Sequence, residues 1–508
     1  MALHPRFRFR LSAALPLPRL LASSPASPAA SRRLSATSSS LPRPSSSPSP
    51  RLGAAVGAQD RRRSNSCYRQ RRHFSSHSQA DRTRAVSAPR TAQALIFDLV
   101  APAWGSNKFR SPLSNPPRLP PSNPATPLHQ QFRRHSTTMP VGTVLVTGGT
   151  GYIGSFTTLA LLDAGYDVVI VDSLYNSSKV ALDRIELLSG RRPDFYQVDI
   201  TDEKALDEVF AKHPTIDSVI HFAALKAVGE SSVIPLEYYR VNVGGSIALL
   251  QSMTRHNVTN IVFSSSATVY GDATRFPDMI PIPEHCPIGP TNTYGRTKSM
   301  IEDVITDHVT AQRNNLQKEG KPYEQWNGAL LRYFNPCGAH PSGIMGEDPQ
   351  GVPFNLLPLL GQVATGQREK LMVYGEDYPS RDGTAIRDYI HVVDLARGHL
   401  MALNYLRSNQ PGVKAWNLGS GRGSTVFEII KAFSDVVGRP LKYEVAPRRA
   451  GDVLDLTANP TLANKELNWK TEYTMEQACA DLWRWVKNNP QGYRQEPPAE
   501  LLAAVKKA

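Results

Sequence analysis

Cysteine is scarce in this chain: there are four among 508 residues, with no C-x-x-C pair. That excludes a disulfide framework and a thiolate zinc site, and it fits a reducing, cytosol-like compartment. No uninterrupted apolar run reaches the ~18 residues that a membrane span needs, so an integral membrane protein is excluded as well. The 13 histidines include no H-E-x-x-H spacing, and no metal is expected. No repeat recurs with a period of roughly 20–50 residues, which excludes a solenoid or a propeller.

Acids are nearly absent from one end. Residues 1–138 contain 22 Lys or Arg against three acids, Asp60, Asp81 and Asp98, a local net charge of +19. The rest has 36 bases and 41 acids, so the formal +14 of the whole belongs to the tail and the body is mildly acidic. A basic average suggests nucleic acid as a partner. The split removes that argument for the body, where neither nucleic acid nor a membrane is expected as a partner. The same tail holds 18 of the 41 prolines, with serine runs such as Ser38-Ser39-Ser40. It cannot bury enough apolar surface to offset its ordering entropy, and it reads as disordered. Its composition fits three roles: a leader with no folded part, a mitochondrial-type presequence, or a basic arm centred on Arg61-Arg62-Arg63.

From Thr143 the pattern changes. The β-branched run Thr143 to Thr147 reads as a buried strand. The turn Gly148-Gly149-Thr150-Gly151-Tyr152-Ile153-Gly154 follows, then helical periodicity from Ile153 to Asp163 through Phe156, Leu159 and Leu162. A second strand, Asp167 to Val171, ends on Asp172. Each part has a mechanical reason. Gly148 permits the tight turn, Gly151 lets the backbone approach a pyrophosphate, and Gly154 lets the helix pack close to the strand. The helix N-terminus offers unpaired N–H groups and a positive dipole end to phosphates. Asp172, 24 residues after Gly148, suits a ribose diol and would repel a 2′-phosphate, so NAD is expected rather than NADP.

The alternation continues. Ile216 to Ile220 leads into His221-Phe222-Ala223-Ala224, and Asn260 to Phe263 leads into Ser264-Ser265-Ser266. Strands separated by helical stretches imply an α/β fold, a doubly wound parallel sheet with ligands at the strands' C-terminal ends. Tyr294 and Lys298 stand four apart at the start of another helical stretch, on one face. A phenol near pKa ~10 is a poor base at neutral pH. A neighbouring ammonium and a nicotinamide cation both favour the phenolate, so Tyr294 is expected to act as acid/base, with Ser266 orienting the same hydroxyl.

These residues, in this order, resemble the UDP-glucose 4-epimerases of the extended short-chain dehydrogenase/reductase family. The resemblance is carried by the glycine turn, His221 to Ser231, Ser264 to Gly271, Leu331-Arg332-Tyr333-Phe334-Asn335-Pro336, Gly346 to Gly351, Arg387 to Val392 and Ala446-Pro447-Arg448-Arg449, and it covers about residues 141–495. It leaves the tail at 1–138 outside and implies two further parts: an NAD-binding Rossmann domain at 141–330, and a smaller UDP-sugar-binding domain at 331–500 whose strands interleave with the first. By position it implies that NAD is surrounded by Tyr152-Ile153, Asp172-Ser173-Leu174-Tyr175-Asn176-Ser177, Asp199-Ile200, Phe222-Ala223-Ala224-Leu225-Lys226, Asn242 and Phe334. It implies that the UDP-sugar is lined by Asn335, Asn355-Leu356, Met372-Val373-Tyr374, Arg387, Arg449 and Asp452. The two arginines are suited to a diphosphate.

The activity implied is interconversion of UDP-glucose and UDP-galactose by transient oxidation at C4, in a cytoplasmic homodimer. A 4,6-dehydratase needs an acid pair directly after the strand-end serine, and Ala267 and Thr268 cannot supply it. A dehydrogenase that releases its reduced cofactor, a decarboxylase, and an inactive cofactor-binding regulator are the remaining alternatives. The last would be expected to lack Tyr294, Lys298 or the arginines. Leu456 stands where the resemblance places a residue beside the hexose, and its bulk lies between the small and the tyrosine-bearing forms.

Overall fold

The computed structural model describes residues 141–507, apart from Val352, Phe354 and Ala450. The expected disordered tail, residues 1–138, lies outside the described residues. The strands, in chain order, are β1 (Thr143–Thr147), β2 (Asp167–Asp172), β3 (Asp194–Gln197), β4 (Ile216–His221), β5 (Asn260–Ser264), β6 (Asn327–Tyr333), β7 (Asn335–Cys337), β8 (Leu371–Tyr374), β9 (Ile386–His391), β10 (Val413–Leu418), β11 (Gly423–Thr425), β12 (Tyr443–Ala446) and β13 (Asp455–Leu456). Seven form one parallel sheet in the order β10-β6-β5-β4-β1-β2-β3. The order reverses between β1 and β4. That puts the crevice where such sheets take ligands outside the C-terminal ends of those two strands.

The central strands are apolar at successive positions because both faces of the sheet are covered. Val144, Val146, Val168, Ile170 and Val262 pack on one side against Phe156, Leu159, Ile185 and Leu403. Leu145, Val169, Val171, Ile261 and Phe263 pack on the other against Leu206, Phe210, Leu249, Met253 and Ile305. Each large side chain withdrawn in this way contributes roughly 1.5–3 kcal/mol. The helix expected over Ile153 to Asp163 spans Tyr152–Asp163. The stretch with Tyr294 is the helix Thr293–Lys318, which starts sharply because the Asn292 side chain accepts a hydrogen bond from the Gly295 N–H at 2.8 Å.

A smaller assembly sits at the same end of the sheet. Strand β9 pairs with β7, β11 and β13, and β8 pairs with β12. The helices Leu356–Ala364, Val426–Val437 and Met475–Asn488 belong with it, and the last two begin with capping boxes at Thr425 and Thr474. The chain leaves the large sheet after β6 and returns to its edge as β10. The expected boundary at 330/331 therefore falls inside β6, and the two parts share strands. Among the described residues no helix is long and apolar enough to cross a membrane.

Candidate active site

The glycine turn is built as a cradle. Gly148 has φ +71°, and a Cβ there would lie 2.8 Å from the Ala223 nitrogen, so the turn after β1 rests directly on the loop after β4. A Cβ on Gly154 would lie 2.2 Å from the Gly148 carbonyl oxygen. The close packing expected of Gly154 is thus against the turn's own backbone rather than against the strand. The helix that follows starts at Gly151 with no side-chain cap and no acid in its first turn, which leaves its N–H groups available to an anion.

Asp172 is buried at the end of β2 and already braces this cradle. It accepts from the Thr150 N–H at 3.1 Å, the Leu174 N–H at 2.9 Å and the Ser177 hydroxyl at 3.0 Å. Leu174 takes φ +60° so that the loop can fold back over the carboxylate. A narrow crevice opens beside the turn, lined by Gly151, Tyr152, Asn176, Ser177 and Lys226 from the expected set and also by Thr150. Its far wall is Gly346 to Pro349: Lys226 meets Glu347 at 3.2 Å, and Asn176 accepts from the Gln350 N–H at 2.8 Å. Tyr294, Lys298 and Ser266 do not line this crevice.

Those three meet at the end of β5. The Lys298 ammonium donates to the Ser264 carbonyl at 2.7 Å and lies 5.8 Å from the centre of the Tyr294 ring. Ser266 lies beside the Tyr294 hydroxyl, where it eases ionisation of the phenol, and accepts from the Thr268 N–H at 3.2 Å and the Thr268 hydroxyl at 3.0 Å. The backbone of Tyr294 is fixed too, by the Ser231 hydroxyl on its N–H and the Thr297 hydroxyl on its carbonyl. The expected easing of Tyr294 deprotonation by Lys298 is not what the protein groups produce. Burial pushes the phenol up, and the nearby Ser266 hydroxyl offsets only part of that. Burial pushes Lys298 itself down to about 7, with Glu302 pulling the other way. A partly neutral amine committed to a carbonyl is a weak source of positive charge.

Several expected contacts turn inward. The Val373 side chain is buried in the core, so on β8 only Met372 and the half-exposed Tyr374 point away from it. Ile200 is buried where Gly245 comes close, leaving Asp199 exposed and bonded to Thr201. Asn242 sits in a π-helical widening, Tyr239–Gly244, and its amide is spent on the Leu225 N–H and carbonyl and on the Thr297 hydroxyl. It thereby braces the Phe222–Lys226 loop. Phe222 itself leans on His399, with ring centres 4.7 Å apart. Ser173 and Tyr175 are exposed.

On the substrate side, Asn335 opens β7 beside β9. Exposed Asn355 precedes the helix that begins at Leu356, and its side chain makes no bond to the first turn. Arg387 is held by the Val453 carbonyl at 2.9 Å, with Asp452 at 3.9 Å from its Nη2. Arg449 pairs with Asp452 at 2.9 Å and lies 4.8 Å over the Tyr374 ring. One acid thus sets two arginines near each other. Ala267, Phe334 and Leu456 share one apolar cluster, which ties the end of β5 to β13 and so to Arg387 on β9.

A family model described as "NAD dependent epimerase/dehydratase family" matches residues 144–419. The chain belongs to this family. It is 57% identical over 352 residues to UDP-glucose 4-epimerase uge1 of Schizosaccharomyces pombe, a match spanning 69% of this chain and 96% of that one. It is 57% identical over 353 residues to the bifunctional protein GAL10 of Pachysolen tannophilus, of which it spans about half the length, 50%. A crystal structure of UDP-glucose 4-epimerase from Bifidobacterium longum in complex with NAD+ and UDP superposes with a TM-score of 0.64 at 46% identity, over 69% of this chain and 99% of that one.

Other side chains in the family site were not anticipated from the sequence. Thr147 accepts or donates to His221 Nδ1 at 2.7 Å, and Ser246 meets its Nε2 at 2.8 Å. Burial holds that imidazole down at about 3, so it stays neutral beside Lys298. Glu302 and Arg332 form a buried pair beneath Ser265. For Glu302 a signal was present: it continues the face of Tyr294 and Lys298 by one more turn. His221, Ser246 and Arg332 had none, because their partners are distant in sequence.

Proposed function

We propose that the chain interconverts UDP-glucose and UDP-galactose, with Tyr294 as the acid/base at the sugar 4-hydroxyl. The observation that carries this is the Tyr294–Lys298–Ser266 group at the end of β5, followed by Ala267 and Thr268. Thr268 donates its hydroxyl to Ser266 and Ala267 is buried, so neither offers the acid that dehydration requires. High identity to a UDP-glucose 4-epimerase along nearly its full length supports the same reading.

The donor set fits NAD: a glycine cradle that a Cβ would fill, an uncapped helix N-terminus, and a buried carboxylate at the end of β2. NAD, when bound, supplies the hydride acceptor for C4 and a positive ring that favours the phenolate of Tyr294. The chain's own residues do the rest. Tyr294 takes the 4-hydroxyl proton and later returns it, and Ser266 orients that hydroxyl. Arg387 and Arg449 anchor the diphosphate by charge-assisted bonds, which leaves the hexose able to present either face. The cofactor contacts assigned to Tyr152, Asp172 to Ser177 and Phe222 to Lys226, and the division near residue 330, belong to this reading.

A homodimer through the helices Gly245–Arg255 and Thr293–Lys318 is part of the proposal. These helices expose Ile247 and Met300, and Leu250, Val304 and His308 line a crevice between them. A cytoplasmic location belongs to it as well. The test is incubation of the purified protein with UDP-galactose and no added NAD. Catalytic formation of UDP-glucose is expected. Stoichiometric release of NADH, or a 4-keto-6-deoxy product, would refute the reading.

A further inference from the structure

The long helix places Tyr294, Lys298 and Glu302 at successive turns of one buried face, with Lys298 2% and Glu302 5% exposed. Glu302 is clamped in two directions. Arg332 on β6 donates from Nε at 3.0 and 3.2 Å and from Nη2 at 2.6 Å. The Ser265 hydroxyl donates to the same carboxylate. Arg332 is fixed in turn by the Tyr270 hydroxyl at 3.1 Å and the Glu284 carbonyl at 3.0 Å. Ser265 lies between Ser264, whose carbonyl holds Lys298, and Ser266, which stands beside the Tyr294 hydroxyl.

We propose that Glu302, clamped by Arg332, is a positioning residue for the reaction: it fixes the serine turn and supplies the counter-charge for Lys298. The inference rests on the reading of Tyr294 and Lys298 as the reacting group. A buried ion pair is a poor source of net stability, because desolvation consumes most of its attraction. Its use lies in geometry and in charge. Lys298 faces neutral His221 from β4, the Phe263 ring from β5, and Tyr294 and Glu302 from its own helix; β6 adds Arg332, paired with Glu302, and Tyr333. The Tyr333 hydroxyl is bonded to Ser264 Oγ at 2.6 Å. Among these, Glu302 is the group that raises the affinity of Lys298 for its proton.

The experiment is a set of pH–rate profiles for Glu302→Gln, Glu302→Asp and the double variant Glu302→Gln/Arg332→Met. The double variant avoids a stranded guanidinium and is the decisive one if the single variant does not fold. Loss of the carboxylate should move the alkaline limb of kcat to lower pH by about one unit and cut kcat about tenfold at pH 8, with KM for UDP-galactose within about twofold. Glu302→Asp should restore most of the limb. A folded double variant with the parental limb, or a loss of rate equal at every pH, overturns the proposal. Tyr294→Phe, run beside them, separates the two ideas: if it turns over at the parental rate, the reading of the reacting group has failed instead.

Discussion

Replacing Gly154 by alanine tests the cradle most sharply. Intrinsic propensity favours alanine in a helix by about 1 kcal/mol, so in a free surface helix the change would stabilise. Here the new Cβ would stand 2.2 Å from the Gly148 oxygen, 2.9 Å from Gly149 Cα and 3.0 Å from the Gly148 carbonyl carbon. Ordinary contact between such atoms needs about 3.5 Å, so helix and turn must part by about 1 Å. Overpacking of this kind costs roughly 1–3 kcal/mol. The net effect expected is a loss of about 0–2 kcal/mol in unfolding free energy. Cofactor affinity should suffer more. One charge-assisted hydrogen bond lost from a displaced N–H is worth about 1.5–3 kcal/mol, or ~10–100-fold in Kd. Urea unfolding gives the first quantity; NAD released by acid from purified protein, and NAD titration, give the second. Gly190→Ala is the control, because its φ is +73° but nothing lies within 4 Å of its Cβ; it should cost stability and keep the parental NAD. If Gly154→Ala were more stable than the parent and held as much NAD, the cradle argument would be refuted.

Tyr294→Phe removes one hydroxyl whose neighbour, Ser266, keeps its bonds to Thr268. Turnover should fall ~10²–10⁴-fold with the melting temperature nearly unchanged, and a loss under threefold would contradict the acid/base role. Burial holds His221 at about 3 and His399 at about 4, both below the usual value of about 6.5. The folded state therefore binds fewer protons than the unfolded one below pH ~6.5, so these rings stabilise fully above that value and their contribution is lost as pH falls toward 4 and then 3. Each loses at most about 1.4 kcal/mol per pH unit across its window. His399→Phe should flatten the fall in urea-unfolding free energy between pH 6.5 and 4.5, and parallel slopes for parent and variant would contradict the assignment.

Much of this fold was legible because its signals are local. The strand, glycine turn, helix and terminal acid between Thr143 and Asp172 are adjacent in sequence, and their spacing follows from helix and strand geometry alone. The same holds for Tyr294 and Lys298, four residues apart on one helix. Where a residue's fate depended on its neighbours in space, local pattern gave no purchase. Nothing local sends the Val373 side chain into the core, or spends the Asn242 amide on Leu225 and Thr297.

The sequence by itself therefore determined the doubly wound sheet, the cradle and which side chains could do chemistry. The tertiary structure alone decided the proton affinities and the supports. Desolvation is the largest influence on both Tyr294 and Lys298, and burial depth is not written in residue spacing. The pairing of Arg332 with Glu302, and of Asp452 with Arg387, likewise exists only once segments far apart in the chain are laid side by side.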